Sequence, residues 1–215
     1  MDIAVLVAAG GSGTRFGGNK LLAQFQGEVV FTTCLRNLSG PGVKFVVATK
    51  TPEILAEYLP EGMEVLWAPG GDSRTASVGN ALAELQKSGP LPPFIAVHDA
   101  ARPLATYALL QQCRERLLAE NADGVIAAHR VTDTIHQVDE TGRIQATPPR
   151  SLLWAAETPQ LFRSQILWEA YQAWKGEALP PSDDAALVHG VFPQSRILML
   201  ENPQNNLKIT YRHDI

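Results

Sequence analysis

The chain has 215 residues, 45% of them hydrophobic, which is enough to bury one good core and close to the upper size of a single domain. Its 18 Lys and Arg against 22 Asp and Glu give a formal charge of −4, and their even scatter excludes the basic face with which a nucleic-acid binder displaces counterions. No stretch approaches membrane-spanning length, the acidic start Met1-Asp2 is unlike a signal peptide, and Cys34 and Cys113 stand far apart with no CxxC, so one cytoplasmic domain over 1–215 with reduced thiols and no zinc site is expected.

In chain order, short apolar, β-branched runs recur at Ile3–Val7, Lys44–Ala48, Glu64–Ala68, Phe94–Val97 and Gly124–Ala127, with helical stretches between them. Val30, Cys34, Leu35 and Leu38 form one helical stripe, Leu82 and Leu85 belong to a second, and Leu109, Leu110, Cys113 and Leu117 to a third, all read as core packing. Continuous apolar strands with covering helices predict an α/β fold around a mostly parallel sheet buried on both faces. From Val131 the rhythm changes: Val131–Val138 alternates, Asp139-Glu140-Thr141-Gly142 reads as a turn, and Arg143–Gln145 starts a return strand. Such a hairpin arm cannot bury both faces on its own sheet, and a partner subunit is expected to cover it.

Ala8-Ala9-Gly10-Gly11-Ser12-Gly13-Thr14-Arg15-Phe16-Gly17-Gly18-Asn19-Lys20 follows the first strand, at the carboxyl end where open α/β sheets bind ligands. Glycines let backbone N–H groups close on an anion, and Arg15 and Lys20 add positive charge, a combination suited to a triphosphate. The loop lacks the Gly-Lys-Ser/Thr ending of a Walker A motif, and Phe16 stands where the dinucleotide fingerprint G-x-G-x-x-G requires glycine. Asp99, in Val97-His98-Asp99-Ala100-Ala101-Arg102-Pro103, ends the fourth strand and suits Mg²⁺, which takes one or two carboxylates beside phosphate oxygens; the plainer readings are a helix cap or a pair with Arg102. Gly70-Gly71-Asp72-Ser73-Arg74-Thr75-Ala76-Ser77 offers groups that could read a base edge, or an ordinary turn and N-cap. The five histidines show no metal spacing and are read as surface or core.

Together these segments resemble the 2-C-methyl-D-erythritol 4-phosphate cytidylyltransferase family, in its order and over nearly the whole chain: AAGGSGTRFGGNK, GGDSRTAS, VHDAARP, the DT of VTDTI, PRSLLWAAETPQLF, SDDAALV and NNLKIT. The resemblance implies a Rossmann-like nucleotidyltransferase fold, a homodimer joined by the arm at about 130–153, and transfer of CMP from CTP to a small polyol phosphate with pyrophosphate leaving, in non-mevalonate isoprenoid biosynthesis. Carried over by motif, Arg15 and Lys20 would stabilise the transition state, Asp99 would hold Mg²⁺, and Arg150 and Lys208 would hold the methylerythritol phosphate. Ala8, Ala9, Gly10, Gly11, Gly13, Gly71, Asp72 and Ser77 would cradle the nucleotide. Arg102, Asp133, Thr134, Thr158 and Ser182 would complete the acceptor side, with the arm reaching the partner's site.

Gly-Gly-Ser-Gly stands where the family has Gly-x-Gly, His136 stands for its usual Lys, Ser182 for a common Thr, and the chain ends at Ile215 where relatives continue into a helix, so stability is expected to lean on the dimer. Ribitol-5-phosphate cytidylyltransferase shares the chemistry and the HDAxRP loop, but RxxLW before TPQ leans to the methylerythritol enzyme. A non-catalytic CTP-binding regulator has no need of Arg15, Lys20 and Asp99 together.

Overall fold

The computed structural model describes residues 2–11, 13–174, 176 and 181–215; Ser12 of the glycine loop lies outside them. In chain order the elements are β1 (Ile3–Ala8), β2 (Gln24–Phe25), β3 (Glu28–Val29), α1 (Val30–Leu38), β4 (Val43–Thr49), α2 (Pro52–Ala56), β5 (Val65–Pro69), α3 (Arg74–Lys87), β6 (Phe94–Asp99), α4 (Tyr107–Ala119), β7 (Gly124–Arg130), β8 (Gln137–Val138), β9 (Ile144–Ala146), β10 (Trp154–Arg163), α5 (Ser164–Ala173), α6 (Asp184–Val191) and β11 (Ile197–Glu201).

Seven strands form the central sheet in the order β11-β7-β10-β6-β1-β4-β5. β6, β1, β4 and β5 run parallel, and β11 is parallel to β7, whereas β10 is antiparallel to both β6 and β7. The expected mostly parallel sheet is therefore present, with β10 and β11 added to the five strands read from the sequence. Side chains alternate between two cores as the pleat requires. Ile3, Val5, Val7, Phe45, Val47, Phe94 and Ala96 meet α1 and α4 on one face. Ala4, Leu6, Val46, Ala48, Ile95 and Val97 meet α3, α5 and α6 on the other. Each large aliphatic side chain buried this way contributes about 1.5–3 kcal/mol, so a strand apolar on both faces is the cheapest occupant of the middle of the sheet.

The chain leaves β1 toward β4 and β5 on one side and returns to β6 on the other, so the strand order reverses between β1 and β6. Ala8 and Asp99, their last residues, are register partners. Carboxyl ends at such a reversal open a crevice rather than being bridged by the next connection.

The arm is present but carries less ladder than its alternating sequence predicts, since only Gln137–Val138 pairs with Ile144–Ala146. Its turn is held by Asp139, whose Oδ1 accepts from the Thr141 N–H at 2.9 Å and the Arg143 N–H at 3.0 Å, while Gly142 adopts φ +83°. Ile135, Val138, Ile144 and Leu152 are exposed, Leu152 at 76%.

Candidate active site

The crevice between β1 and β6 is a cleft of about 410 Å³ lined by the first strand's end and glycine loop, by Gly71–Arg74 and Ser77, and by Asp99 and Lys208. Ala8, Ala9, Gly10, Gly11, Arg15, Lys20, Gly71, Asp72, Ser77, Asp99 and Lys208, all singled out from sequence, meet there. Five cationic side chains line it (Arg15, Lys20, Lys50, Arg74 and Lys208) against two carboxylates, Asp72 and Asp99. That excess makes it an anion site.

The glycine loop is shaped by its own turn. The Gly13 carbonyl accepts from the N–H groups of Phe16 and Gly17 at 3.0 and 2.9 Å, and Gly13 sits at φ +63°, where an added Cβ would fall 1.9 Å from the Gly18 oxygen. Gly13 thus shapes the loop without being among the cleft-lining residues. Phe16, at the position of the dinucleotide fingerprint's third glycine, is buried in the core and anchors the loop, which continues into a 3-10 turn at Lys20–Leu22 rather than a long helix. Both features remove the dinucleotide geometry.

Opposite it, α3 begins at the cleft. Ser73 is the N-cap, its Oγ accepting from the Ala76 N–H at 3.0 Å. Ser77 Oγ accepts from the Gly71 N–H at 3.0 Å and donates to the Ser73 carbonyl at 2.9 Å, and a Cβ on Gly71 would meet the Ala76 side chain at 2.5 Å. Ser77 therefore sets the shape of the Gly70–Ser73 turn. Asp72 is fully exposed and paired to Lys50 at 2.8 Å.

Asp99 pairs with neither Arg102 nor a helix terminus, the plainer alternatives in the sequence. Its Oδ1 takes Arg74 Nε at 2.8 Å and its Oδ2 takes Lys208 Nζ at 2.7 Å. Burial alone would raise its pKa, but Arg74 and Lys208 outweigh burial and hold the carboxyl well below the usual range. Arg74 reaches on to fully buried Asp184 at 2.7 Å, which also accepts from Tyr171 Oη at 2.6 Å. Lys20 Nζ donates to the Ile209 carbonyl at 2.8 Å, and its pKa is lowered by partial burial, then by Lys208 and Arg15, against the pull of Asp99.

A carboxylate oxygen accepts two bonds, and among the described residues each Asp99 oxygen takes one. This deprotonated donor beside an anion cleft fits the one-carboxylate share of a Mg²⁺ shell completed by phosphate oxygens and water. Among the described residues no three His, Cys, Asp or Glu side chains gather as a metal cluster of their own.

Past Lys208 a second cavity of about 250 Å³ is lined by Arg102, Glu157, Thr158, Gln160, Ser182 and Asp183. Arg102 Nη1 donates to the Asn206 carbonyl at 2.6 Å. Thr158 Oγ1 accepts from the Asp99 N–H at 3.2 Å and lies 2.9 Å from His98 Nδ1. Of the surface and core places open to the histidines, His98 takes the core: it is fully buried, and burial lowers its pKa to about 4, so it stays neutral. Asp133, Thr134 and Arg150 are exposed on the arm and line neither cavity; Arg150 Nη1 donates to the Thr132 carbonyl at 2.9 Å. Arg74, Lys50, Glu157 and Asn206 also line these cavities or hold their walls, and none is a candidate on sequence grounds above. Arg74 was within reach, as the only cation in a turn that opens a helix at a strand end.

A sequence model of the 2-C-methyl-D-erythritol 4-phosphate cytidylyltransferase family matches residues 3–215. The enzyme of that name from Prochlorococcus marinus subsp. pastoris (strain CCMP1986 / NIES-2087 / MED4) is 37% identical over 218 residues, covering 98% of this chain and 95% of its own. Its counterpart from Synechococcus sp. (strain ATCC 27144 / PCC 6301 / SAUG 1402/1) is 34% identical over 220 residues, covering 98% and 92%. The crystal structure of 4-diphosphocytidyl-2C-methyl-D-erythritol synthase from Anaerococcus prevotii DSM 20548 superposes with a TM-score of 0.84 at 21% identity, over 99% of this chain and 92% of that one, a likeness of fold. That of 2-C-methyl-D-erythritol 4-phosphate cytidylyltransferase from Thermus thermophilus gives 0.73 at 25% identity, over 100% and 95%.

Proposed function

The chain belongs to the 2-C-methyl-D-erythritol 4-phosphate cytidylyltransferase family, and from that premise we propose how its own residues carry the reaction. It is a nucleotidyltransferase that moves CMP from CTP to 2-C-methyl-D-erythritol 4-phosphate, giving 4-diphosphocytidyl-2-C-methyl-D-erythritol and pyrophosphate. The observation that carries the residue assignment is the set of cations around Asp99, where the glycine-loop cleft and the Arg102 cavity share Arg74, Asp99 and Lys208. A dianionic phosphate must approach a triphosphate of the same sign, and only cations between them make that approach favourable.

In this reading Ala8, Ala9, Gly10 and Gly11 face the nucleotide, Gly13 shapes the loop around its phosphates, and Gly71, Asp72 and Ser77 hold the base side. The acceptor's phosphate oxygen attacks the α-phosphorus, the bond from that phosphorus to the bridging oxygen breaks, and pyrophosphate takes the electron pair. Lys20 and Arg15 neutralise the charge that grows on the transferred and leaving phosphoryl groups. Lys20 is already partly withdrawn from water among other cations, so an arriving triphosphate improves its surroundings more than those of a free surface lysine. Lys208, Arg102, Thr158 and Ser182 orient the acceptor. Mg²⁺, held by Asp99 with phosphate oxygens, would supply further charge neutralisation and fix the triphosphate's geometry.

Asp133, Thr134 and Arg150 act, in this proposal, in the site of a second copy. Their exposure on an arm that also presents Ile135, Val138, Ile144 and Leu152 supports a homodimer in which arms are exchanged. The protein works in the cytoplasm; no helix among the described residues is long and apolar enough to cross a membrane.

Pyrophosphate release from CTP with Mg²⁺ tests the assignment, with 2-C-methyl-D-erythritol 4-phosphate and D-ribitol 5-phosphate compared as acceptors and each component omitted in turn. Release with the first acceptor is expected. Release with ribitol phosphate alone would overturn the acceptor, and CTP binding without any release would leave a regulator.

A further inference from the structure

A buried acid beside the acceptor cavity is left out of this mechanism. Glu157, in the irregular middle of β10, is only 5% exposed, yet its carboxylate touches three side chains from two other parts of the chain. Oε1 meets His129 Nδ1 on β7 at 2.7 Å, and Oε2 accepts from Asn202 Nδ2 at 3.0 Å and from Asn206 Nδ2 at 2.9 Å. Asn202 and Asn206 bracket the loop that follows β11 and leads directly to Lys208. Asn206 is in turn the residue whose carbonyl accepts from Arg102 Nη1, and its side chain also donates to the Thr158 carbonyl at 2.8 Å. Two cavities, of about 250 and 420 Å³, meet at Arg102, Glu157 and Lys208.

A buried carboxylate with this many donors is costly to maintain unless each bond is made, and once made they fix the donors in place. Here the donors belong to a loop with little regular structure of its own. From this we infer that Glu157 is a positioning residue for the acceptor: its carboxylate clamps Asn202 and Asn206, and through them sets where Arg102 and Lys208 present their charges. Glu157 touches no reacting atom. Burial lowers the pKa of Arg102, and Asp99 and, after it, Glu157 act against that by favouring the charged guanidinium. Lys208 lines the nucleotide cleft and the acceptor cavities alike, but the rest of the donor side is built on β1, its glycine loop and the start of α3, while Arg102 and both Asn side chains lie on the acceptor side, so the clamp bears chiefly on the acceptor.

The inference rests on Arg102 and Lys208 serving the acceptor as proposed above, and steady-state kinetics separate the two claims. In Glu157→Leu the two Asn amides lose their acceptor. The KM for 2-C-methyl-D-erythritol 4-phosphate is expected to rise about tenfold or more while the KM for CTP stays within about threefold. In Glu157→Gln the amide oxygen still accepts from both Asn side chains, so the acceptor KM should return to within about threefold of wild type. A residue that merely holds the fold would move both KM values together and would show no rescue by Gln. Should the Leu variant not fold, Asn206→Ala carries the same prediction; where it folds, the effects of Glu157→Leu and Asn206→Ala should not add. An unchanged acceptor KM in Glu157→Leu or Asn206→Ala, or a parallel rise in both KM values, overturns the clamp. Wild-type protein that releases no pyrophosphate with this acceptor would instead overturn the function on which the clamp rests.

Discussion

Replacing Arg74 with methionine keeps an unbranched apolar stem and removes the guanidinium with its charge. The guanidinium bridges Asp99 at 2.8 Å and Asp184 at 2.7 Å, with the Asp184 side chain fully buried and that of Asp99 11% exposed. Deleting one member of a buried ion pair costs about 3–5 kcal/mol, mostly because the remaining charge is left uncompensated. Lys208 stays on Asp99, Tyr171 stays on Asp184, and Arg74 is itself 26% exposed, so the lower end applies. A loss of about 3 kcal/mol is expected, a drop in Tm of roughly 6–12 °C for a chain of this size. Burial already raises the pKa of Asp184 even with Arg74 beside it, and losing Arg74 raises it further. A folded-state carboxyl pKa above the unfolded value of about 3.9 means that the native state binds the extra proton. The deficit should therefore shrink as pH falls from neutrality toward that value. Urea unfolding of both proteins from pH 7.5 down to roughly pH 4.5 would show it. The double variant Arg74→Met with Asp184→Leu should recover most of the loss, because no buried charge is then left alone. A loss under about 1 kcal/mol at neutral pH, or a deficit that grows on acidification, would refute the account of Arg74 as the bridge between the cleft and the core.

Lys20→Ala and Arg15→Ala should each lower kcat by about 10²–10³ with an unchanged circular dichroism spectrum; near-normal turnover in either would remove it from the catalytic set. The depressed pKa of Asp99 contributes stability above its unfolded value of about 3.9, lost as pH falls toward the folded value. The stability gap between wild type and Asp99→Asn should thus narrow between about pH 5 and pH 3, and a constant gap in urea unfolding would contradict the pairing with Arg74 and Lys208. If arms are exchanged between two copies, Lys20→Ala and Arg150→Ala subunits mixed after co-refolding place one intact site in each heterodimer. Activity of roughly a quarter of wild type is then expected from two nearly inactive proteins, and no recovery would place the arm in its own subunit's site.

The strands that carry the nucleotide cleft were legible because each is apolar on both faces. Ile3–Ala8, Val43–Thr49 and Phe94–Asp99 are bounded by glycine or polar turns, and such runs have few places in a fold other than the middle of a covered sheet. β10 was read only as the motif PRSLLWAAETPQLF, because Glu157, Thr158 and Gln160 interrupt it with polar groups that are buried by specific partners rather than by periodicity. β11 at Ile197–Glu201 is short and half-buried at the sheet's edge, where the pattern is weakest. In the site, the glycine loop and Asp99 announced themselves through local spacing. Asn206 and Lys208 stand more than a hundred residues from Arg102 and Asp99, and no local pattern connects them. Glu157 was invisible as a functional candidate because its partners come from β7 and from the loop beyond β11.

Lys208 and Ile209 are consecutive residues with separate duties, one side chain resting on Asp99 and the next carbonyl accepting from Lys20. The Ile209 N–H is itself tied to the Ala101 carbonyl at 2.8 Å, and Arg212 Nε donates to the Phe16 carbonyl of the glycine loop at 3.2 Å. Two consecutive residues therefore touch both sides of the cleft, Lys208 at the end of β6 and Ile209 at the Lys20 that follows the glycine loop. A backbone used in this way works as a brace: the end of β6 and the far end of the glycine loop are fastened to the same short stretch of chain.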